Sequence, residues 1–327
     1  IVPAAIIFTP ANWNSAQTVT VTGVNDLIDD GDSAYSIVTT VSSGDATYNG
    51  IAAADVSVTN TDDDTAGVLV NPTSGLVTTE AGGTASFTVV LTSQPTADVT
   101  VNLTSSDPTE GSVPAQITFT PANWNSAQTV TVTGVNDLID DGDIAYTIIT
   151  TVTSADNAYN GIAVPDVSVT NIDDDTAGVT VNPTSGLVTT EAGGTATFTV
   201  VLNTQPGAAV TISLSNSDLS EGTVPAQITF PAANWNVAQT VTVTGVDDVI
   251  DDGDIAYTII TTVSSADAAY NGIAAADVSV TNTDDDAAGM TVNPTSGLVT
   301  TEAGGTATFA VALVTQPTAD VTISLTS

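Results

Sequence analysis

Apolar and polar residues alternate with a period of two along most of this chain. The alternation is clear in 85–91, 99–103 and 129–133, where Val, Leu and Phe are separated by Thr, Ser and Asn. A period of two predicts strands that bury one face, and no stretch shows the period of an amphipathic helix. Further short apolar runs predict strands at 68–71, 117–119, 145–151 and 167–170. Seven strands in about 110 residues predict an all-β fold of the seven-stranded immunoglobulin-like sandwich type.

The pattern of strands repeats along the sequence. Trp13, Trp124 and Trp235 are each 111 residues apart. Repeats of this length are whole domains, so the sequence predicts a tandem array of sandwiches joined end to end by very short linkers. The predicted boundaries place the C-terminal part of a repeat at 1–64, complete repeats at 65–175 and 176–286, and the N-terminal part of a further repeat at 287–327.

Two interpretations of the incomplete repeats remain open at this stage. The simpler one is that the sequence is a slice of a longer chain, with neighbouring repeats beyond it. The alternative is that 287–327 of one copy completes the sandwich begun by 1–64 of another copy, as in strand-complemented fibres. The expected partners are therefore neighbouring repeats of a longer chain or further copies of the same chain, in a head-to-tail or strand-complemented filament.

The composition excludes several classes of function. The chain has 37 acidic residues and no Lys, Arg or His, a net charge of −37, and 42% hydrophobic residues. The apolar content is typical of a folded β protein, while the charge disfavours nucleic acid and anionic membrane surfaces as partners. No apolar run approaches the roughly eighteen residues of a membrane helix. Without His, Cys, Lys or Arg, the usual catalytic groups are missing, and we expect no enzymatic activity.

The acidic residues are concentrated at one predicted pole of each sandwich. In a sandwich of this topology the A–B, C–D and E–F loops and the end of strand G meet at the same end. Ten of the thirteen acids in 65–175 fall there: Glu80, Asp107, Glu110, Asp137, Asp140, Asp141, Asp143, Asp173, Asp174 and Asp175. A single acid of this kind is best explained as a solvated turn residue. Convergence of four acidic loops without any side-chain cation predicts a bound metal instead, and oxygen ligands alone favour Ca²⁺.

Three stretches resemble the Calx-β domains of sodium-calcium exchangers, integrin β4 and large bacterial surface proteins. They are TTEAGGTASFTVVL from Thr78, TVTVTGVNDLIDDGDIAY from Thr129 and VSVTNIDDD from Val167, and each recurs in the other repeats. The resemblance implies calcium at the acidic pole. The acidity and the predicted metal dependence favour a location outside the cell or on its surface, where calcium is typically millimolar. The resemblance to large bacterial surface proteins favours a bacterial source.

The candidate metal ligands follow from this resemblance and from the 111-residue period. In 65–175 the resemblance implies Glu80, Asp107, Asp137, Asp141, Asp173, Asp174 and Asp175, with Asp143 contributing, and Asp140 belongs to the same loop. The further candidates, most of them equivalents of these, are Asp26, Asp30, Asp32, Asp62, Asp63, Asp64, Glu191, Asp218, Asp247, Asp248, Asp251, Asp252, Asp254, Asp284, Asp285, Asp286 and Glu302. The sequence departs from the family where paired acids commonly open the E–F loop, since Asn25 and Asn136 stand there and only Asp247 restores an acid.

The predicted function is that of a structural extracellular region, a stalk or filament that calcium stiffens at each repeat junction. The alternative is an adhesin region whose repeats bind glycan or ice directly. Trp124 could offer a sugar-stacking face, although a Trp that covers the edge of the core is the simpler explanation. Outward rows such as Thr129, Thr131 and Thr133 could face ice, although Thr is a common exposed strand residue.

Overall fold

The structure is a computed structural model that describes all 327 residues, and it is all-β. It divides into two compact units, one formed by Ile1–Asp137 with Gly142–Asp173 and one by Leu138–Asp141 with Asp174–Ser327. The only regular helical segment is a 3₁₀ turn at Ala232–Asn234. No helix here is of the length and apolar character that crossing a membrane requires. The predicted fold class, tandem immunoglobulin-like β-sandwiches, is confirmed.

The first unit contains one complete sandwich and one separate strand pair. Its strands are β1 Ser33–Ile37, β2 Val56–Asn60, β3 Val68–Asn71, β4 Leu76–Thr79, β5 Thr84–Leu91, β6 Val99–Ser105, β7 Gly111–Ser112, β8 Gln116–Phe119, β9 Gln128–Gly134, β10 Ile144–Ser154 and β11 Val167–Ile172. The sandwich consists of a four-stranded sheet of order β3-β5-β9-β7 and a five-stranded sheet of order β4-β11-β10-β6-β8, and β1 pairs only with β2.

The second unit repeats this arrangement. Its strands are β12 Val179–Asn182, β13 Leu187–Thr190, β14 Thr195–Leu202, β15 Val210–Asn216, β16 Gly222–Thr223, β17 Gln227–Phe230, β18 Gln239–Gly245, β19 Ile255–Ser265, β20 Val278–Thr283, β21 Met290–Asn293 and β22 Ala310–Leu313. The sheets have the orders β12-β14-β18-β16 and β13-β20-β19-β15-β17, with β21 paired to β22.

The alternating sequence positions form the core between the two sheets. In β14, Phe198, Val200 and Leu202 are buried while the residues between them are not. They pack with inward residues of the facing sheet, such as Ile212 on β15 and Ile259 on β19. Because successive side chains in a strand point to opposite faces, the period of two in the sequence becomes one buried face and one solvated face.

All seven strands predicted in 65–175 are present, as β3, β5, β6 and β8 to β11, and two further short strands join them. The chain leaves the four-stranded sheet after Asn71 because Pro72 has no N–H to donate, and β4 then pairs in parallel with β11 in the other sheet. The other addition, β7, has only two residues. The sequence analysis had predicted no strand at β4 or at β7.

The tryptophans lie at the edge of the core in the complete sandwiches. Trp124 and Trp235 are partly buried and pack against the core of their own sandwich. The Trp235 carbonyl also accepts a hydrogen bond from the backbone N–H of Leu202 at 3.4 Å. These contacts agree with the simpler of the two explanations for Trp124 and give no support to a sugar-stacking face.

Candidate metal centre

The parallel pair β13 and β20 brings two acidic segments to the same end of the second sandwich. Thr190 on β13 lies opposite Thr283 on β20, and the next backbone N–H, that of Glu191, donates to the Thr283 carbonyl at 3.1 Å. Since the two strands run in the same direction, both release the chain at one pole. Glu191 therefore lies beside the triplet 284–286.

Hydrogen bonds from the backbone fix the shape of the acidic triplet. Asp284 accepts from the backbone N–H of Gly253 at 2.7 Å through Oδ2 and from that of Asp286 at 2.8 Å through Oδ1. These two bonds lower the pKa of Asp284. Gly253 has φ of +78°, a conformation that other residues rarely adopt, so the glycine lets the loop between β18 and β19 (246–254) turn back onto the triplet. Asp254 completes the link by accepting from the Asp284 N–H at 3.2 Å.

Glu191 is the buried centre of this pole. Its side chain is 2% exposed, and its Oε2 accepts from the Asp285 N–H at 3.4 Å. One oxygen atom each from Glu191, Asp284 and Asp286 lies within 4.8 Å of the others, and the same holds for Glu191, Asp247 and Asp285. Two overlapping sets of three carboxylates therefore share Glu191, and either set could hold a metal ion.

The electrostatics of the pole favour protonation or a bound cation. Burial raises the pKa of Glu191 to about 7, and the negative charge of Asp284 adds to this effect. Burial also raises the pKa of Asp286 and Asp252, again with repulsion from neighbouring aspartates. Because the chain has no Lys, Arg or His, no side-chain cation can neutralise this charge. A bound metal ion would do so.

Glu221 is a further buried acid at this pole that the candidate ligand set did not include. It is buried, its pKa is raised by burial, and its Oε2 accepts from the Asn282 amide at 3.3 Å. Asn282 is itself held by Thr189, whose hydroxyl donates to Asn282 Oδ1 at 2.9 Å. The equivalent Glu110 forms a potential ligand group with Glu80 and Asp137 in the first unit. The sequence had placed Glu110 at this pole without identifying it as a ligand.

The remaining candidates of the first unit adopt matching arrangements. Asp62, Asp63 and Asp64 form a potential ligand group by themselves. Asp62 accepts from the N–H groups of Gly31 and Asp64, which lowers its pKa. The other contacts recur along the chain: Asp32 accepts from Asp62 N–H, Asp143 from Asp173 N–H, Asp173 from Gly142 N–H and Asp26 from Ile28 N–H.

Asp107 and Asp218 are held by local turns at the edge of the pole. Hydrogen bonds from the hydroxyl and the backbone N–H of Thr109 lower the pKa of Asp107, and those of Ser220 lower the pKa of Asp218 in the same way. Asp218 also lies close enough for its charge to add to the burial that raises the pKa of Glu221. Asp248 accepts from the Ile250 N–H at 2.8 Å in a similar turn.

Three equivalent aspartates, Asp29, Asp140 and Asp251, make a different contact. Each accepts a hydrogen bond from the backbone N–H of an alanine 37 residues further along the chain, at distances of 2.8, 2.7 and 2.6 Å respectively. The partners are Ala66, Ala177 and Ala288. Asp140 and Asp251 were candidate ligands, so the structure gives them a specific role in addition to charge.

The other candidates are placed as follows. Asp30 and Asp26 line the same cavity in the first unit. The second unit includes Asp141, Asp174 and Asp175. Asp252 has a raised pKa, and Glu302 is exposed.

The donor set fits a hard divalent cation. Every charged group in these clusters is a carboxylate, and the chain has no His or Cys to suit zinc or copper. Calcium takes six to eight oxygen ligands in flexible geometry, which suits acids delivered by several loops. The buried Glu191, with a pKa of about 7, is a position where a cation would replace a proton.

Comparison with known proteins gave only distant similarities. No family model matches the chain, and no curated protein matches it. CBD12 from CALX1.2 is 14% identical over 59% of this chain and 79% of its own length, with a TM-score of 0.27. The apo-form Calx CBD1 domain is 15% identical, covers 34% of this chain and 100% of its own, and has a TM-score of 0.28. Domains 4 and 5 of the S-layer protein SbsC are 16% identical over 56% of this chain and 75% of their own length, with a TM-score of 0.26.

Proposed function

We propose that this chain is a structural, calcium-binding repeat region of the Calx-β type that forms an extracellular stalk or filament. The observation that carries the proposal is the buried Glu191, which belongs to two sets of three carboxylates. One set contains Asp284 and Asp286, and the other contains Asp247 and Asp285. The chain has no side-chain cation to neutralise them. Such a pole is costly to leave without metal. Two unit charges about 5 Å apart repel each other by roughly 3 kcal/mol at an effective dielectric constant near 20.

The function follows from what calcium would do at such a pole. The ligands come from three separate segments: Glu191 after β13, Asp247 after β18 and the triplet after β20. Binding one ion to all three would hold the loops together, whereas repulsion between the same carboxylates without metal would push them apart. Calcium would thus stiffen each repeat where the chain continues into the next, and the stiffness would extend along the array.

The proposed setting is the outside of a bacterial cell. Weak calcium sites fill where the ion is millimolar, as it is outside cells. The large negative charge would keep such an array soluble and separated from anionic surfaces. The sequence resemblance to Calx-β domains of bacterial surface proteins supports the same setting. The proposed partners are neighbouring repeats or further copies of the chain, and we assign it no enzymatic activity.

Chelation of calcium tests this proposal. The 327-residue chain is titrated with Ca²⁺ by calorimetry, and its thermal unfolding is followed in Ca²⁺ and in EGTA. At a concentration 100 times the dissociation constant, an ion that binds only the folded state adds about 2.7 kcal/mol. We therefore expect the melting temperature to rise by several degrees and the sites of protease cleavage at the acidic loops to be protected. Unchanged melting and cleavage after chelation would disprove the proposal.

A pair of matched variants assigns the effect to the pole. Glu191→Gln removes a buried carboxylate from both ligand groups of the second unit, and we expect it to abolish one or more of the calcium-binding steps. Asp98→Asn removes the same charge from an exposed acid that precedes β6, on the loop from β5, at the opposite end of a strand from the acidic pole. The second variant should bind calcium like the unaltered chain. Equal losses in both would show that only net charge matters.

A further inference from the structure

The tip of the loop between β9 and β10 packs with residues of the following repeat. Residues Leu138–Asp141 fall in the second compact unit, although the rest of this loop falls in the first. Within the second unit, the Leu138 carbonyl accepts a hydrogen bond from the Gln205 N–H at 2.6 Å. Asp140 Oδ2 accepts one from the Ala177 N–H at 2.7 Å. Two acceptors of the loop tip therefore meet two backbone donors, one before β12 and one after β14.

The same pair of contacts recurs 111 residues away in each direction along the chain. In the first unit, the Gln94 N–H donates to the Leu27 carbonyl at 2.6 Å, and in the second unit the Gln316 N–H donates to the Val249 carbonyl at 2.7 Å. In each case the aspartate two positions further along accepts from an alanine N–H. The side chains of the three carbonyl residues are 48 to 55% exposed. The contact therefore depends on the backbone and the carboxylate, and not on burial of an apolar side chain.

A tight turn brings the two acceptors of the loop tip to the same place. The Asp141 N–H donates to the Ile139 carbonyl at 3.1 Å, and the Asp30 N–H donates to the Ile28 carbonyl at 3.0 Å. Such a three-residue turn reverses the chain at its central residue, which here is the aspartate that accepts from alanine. The carboxylate and the carbonyl two positions earlier can then reach donors on neighbouring segments.

A buried tyrosine fixes the backbone that presents the Gln205 donor. The Tyr270 hydroxyl donates to the Thr204 carbonyl at 2.7 Å and accepts from the Thr204 N–H at 3.0 Å. Tyr270 is 1% exposed. On the other side, Asp267 Oδ2 accepts from the Gly207 N–H at 2.7 Å. Because the backbone is held on both sides of Gln205, the direction of its N–H is set by the sandwich itself.

The first sandwich holds its donor in the same way. The Tyr159 hydroxyl donates to the Ser93 carbonyl at 2.6 Å and accepts from the Ser93 N–H at 3.1 Å. Asp156 Oδ2 accepts from the Thr96 N–H at 2.7 Å. The tyrosine and the aspartate lie in the loop between β10 and β11, and their partners lie in the loop between β5 and β6. In a sandwich of this topology these loops lie at the end opposite the acidic pole.

We propose that these contacts form a joint between consecutive repeats that needs no metal ion. The loop tips are 27–29, 138–140 and 249–251, and each docks onto the fixed N–H donors of the repeat that follows. The partner that fits these donors is a loop with a free carbonyl and an aspartate two positions later. The inference goes beyond the proposed calcium function, because calcium acts on the acids of the pole, whereas the joint persists when the pole is empty of metal.

Hydrogen exchange of two amides tests the joint. In EGTA, the Gln205 and Ala177 amides of the unaltered chain should exchange about tenfold more slowly than in Asp140→Ala, since both contacts hold one short segment. Asp140→Asn keeps an oxygen acceptor and should restore most of the protection, because the joint needs the acceptor and not the charge. The Gln94 and Ala66 amides of the same molecules serve as the internal control and should not change.

A pair of tyrosine variants tests the fixed donor. Tyr270→Phe removes the hydroxyl that holds Thr204 and should speed exchange of the Gln205 amide about tenfold. The matched control is Tyr257→Phe, which removes the hydroxyl of another buried tyrosine of this sandwich, one that contacts the Thr189 hydroxyl at 3.1 Å. This control should leave the Gln205 amide unchanged. Thermal melting of both variants separates a selective change at Gln205 from a general loss of stability.

Three results would overturn the proposal. Protection of the Gln205 and Ala177 amides in calcium but not in EGTA would show that the joint needs the metal. Equal losses in Asp140→Asn and Asp140→Ala would show that charge matters and the acceptor does not. An unchanged Gln205 amide in Tyr270→Phe would show that the tyrosine does not fix the donor. Because the exchange is measured in EGTA, absence of calcium binding would disprove the metal site without affecting the joint.

Discussion

At the scale of the residue, Glu191 makes the stability of the metal-free chain depend on pH. Its pKa is raised from 4.5 to about 7 by burial and by neighbouring acids. A carboxyl whose pKa is raised in the folded state binds a proton more tightly there than in the unfolded chain. Stability is therefore highest below about pH 4.5 for this group and falls as the pH rises towards 7, by up to about 3 kcal/mol.

The measurement is urea unfolding in EGTA between pH 4.5 and 8, with calcium-loaded protein for comparison. Glu191→Gln should flatten the decrease, while Asp98→Asn should leave it in place. Glu221 contributes in the same direction because its pKa is also raised, so some slope should remain. Stability that rises with pH across this range in the unaltered, metal-free chain would contradict the expected sign.

A second residue, Gly245, holds the backbone of the pole together by its lack of a side chain. A Cβ at this position would lie 2.2 Å from the Thr190 carbonyl oxygen, which is backbone and cannot move aside alone. Gly245→Ala should displace Thr190 and the adjacent Glu191. We expect a cost of roughly 1 to 3 kcal/mol, as for other overpacked sites, together with weaker calcium binding.

Gly207→Ala is the matched control for that substitution. A Cβ at Gly207 would meet only the Asp267 Oδ2 atom at 3.7 Å, which is an ordinary contact. Thermal unfolding and calcium titration of both variants should separate them clearly. Similar melting temperatures for the two would show that the close approach at Gly245 is relieved without cost.

The candidate residues show what the sequence could and could not predict. The acidic pole could be predicted from the order of the strands. Successive loops of such a sandwich lie at alternate ends, so counting the strands assigns each acidic loop to one end. The separate role of Asp251 did not follow, since its partner is a backbone N–H, that of Ala288, which has no signature in the sequence. Glu221 was similarly absent from the candidate ligands, because its burial depends on the packing of Asn282 and Thr189.

At the scale of the element, neighbouring residues of the loop between β18 and β19, residues 246–254, make two different kinds of contact. Asp251 accepts from the Ala288 N–H at 2.6 Å, and the carbonyl of Val249 accepts from the Gln316 N–H at 2.7 Å. Asp252 instead lies in the acidic pole, where burial and the charge of Asp248 raise its pKa. One side of the loop therefore holds the chain that follows β20, and the other side carries an acid of the pole.

Alanine substitutions should separate these two functions. Asp251→Ala should reduce hydrogen-exchange protection of the Ala288 amide both in calcium and in EGTA, with little change in calcium affinity. Asp252→Ala should weaken calcium binding and leave the Ala288 amide protected when calcium is saturating. If both variants lost calcium binding to the same extent, Asp251 would be a metal ligand as well, as the sequence had predicted.

The elements themselves were largely predictable, and the exceptions have a physical reason. The long strands of 65–175, such as β5, β9 and β10, were all predicted from the sequence. The short parallel strand β13 has only Leu187–Thr190, and its role is to place Glu191 next to the triplet. Its pairing with β20 joins residues more than 90 positions apart, and no local pattern indicates such a partner.

At the scale of the whole molecule, a net charge of −37 without any side-chain cation makes the metal-free chain repel itself. Salt screens charges that are separated by more than about 10 Å at 0.1 M ionic strength. In EGTA, raising NaCl from about 0.05 to 0.5 M should therefore increase the melting temperature. In saturating calcium the closest carboxylates are already neutralised, so the same salt increase should have a smaller effect, or a negative one where screening weakens calcium binding. In EGTA, the salt-induced gain in melting temperature of Glu191→Gln should lie between these two values, because the substitution removes one buried charge. Thermal melting at fixed pH, with KCl as a second salt, measures the difference, and an identical gain in calcium and in EGTA would show that the repulsion relieved by calcium is not located at these poles.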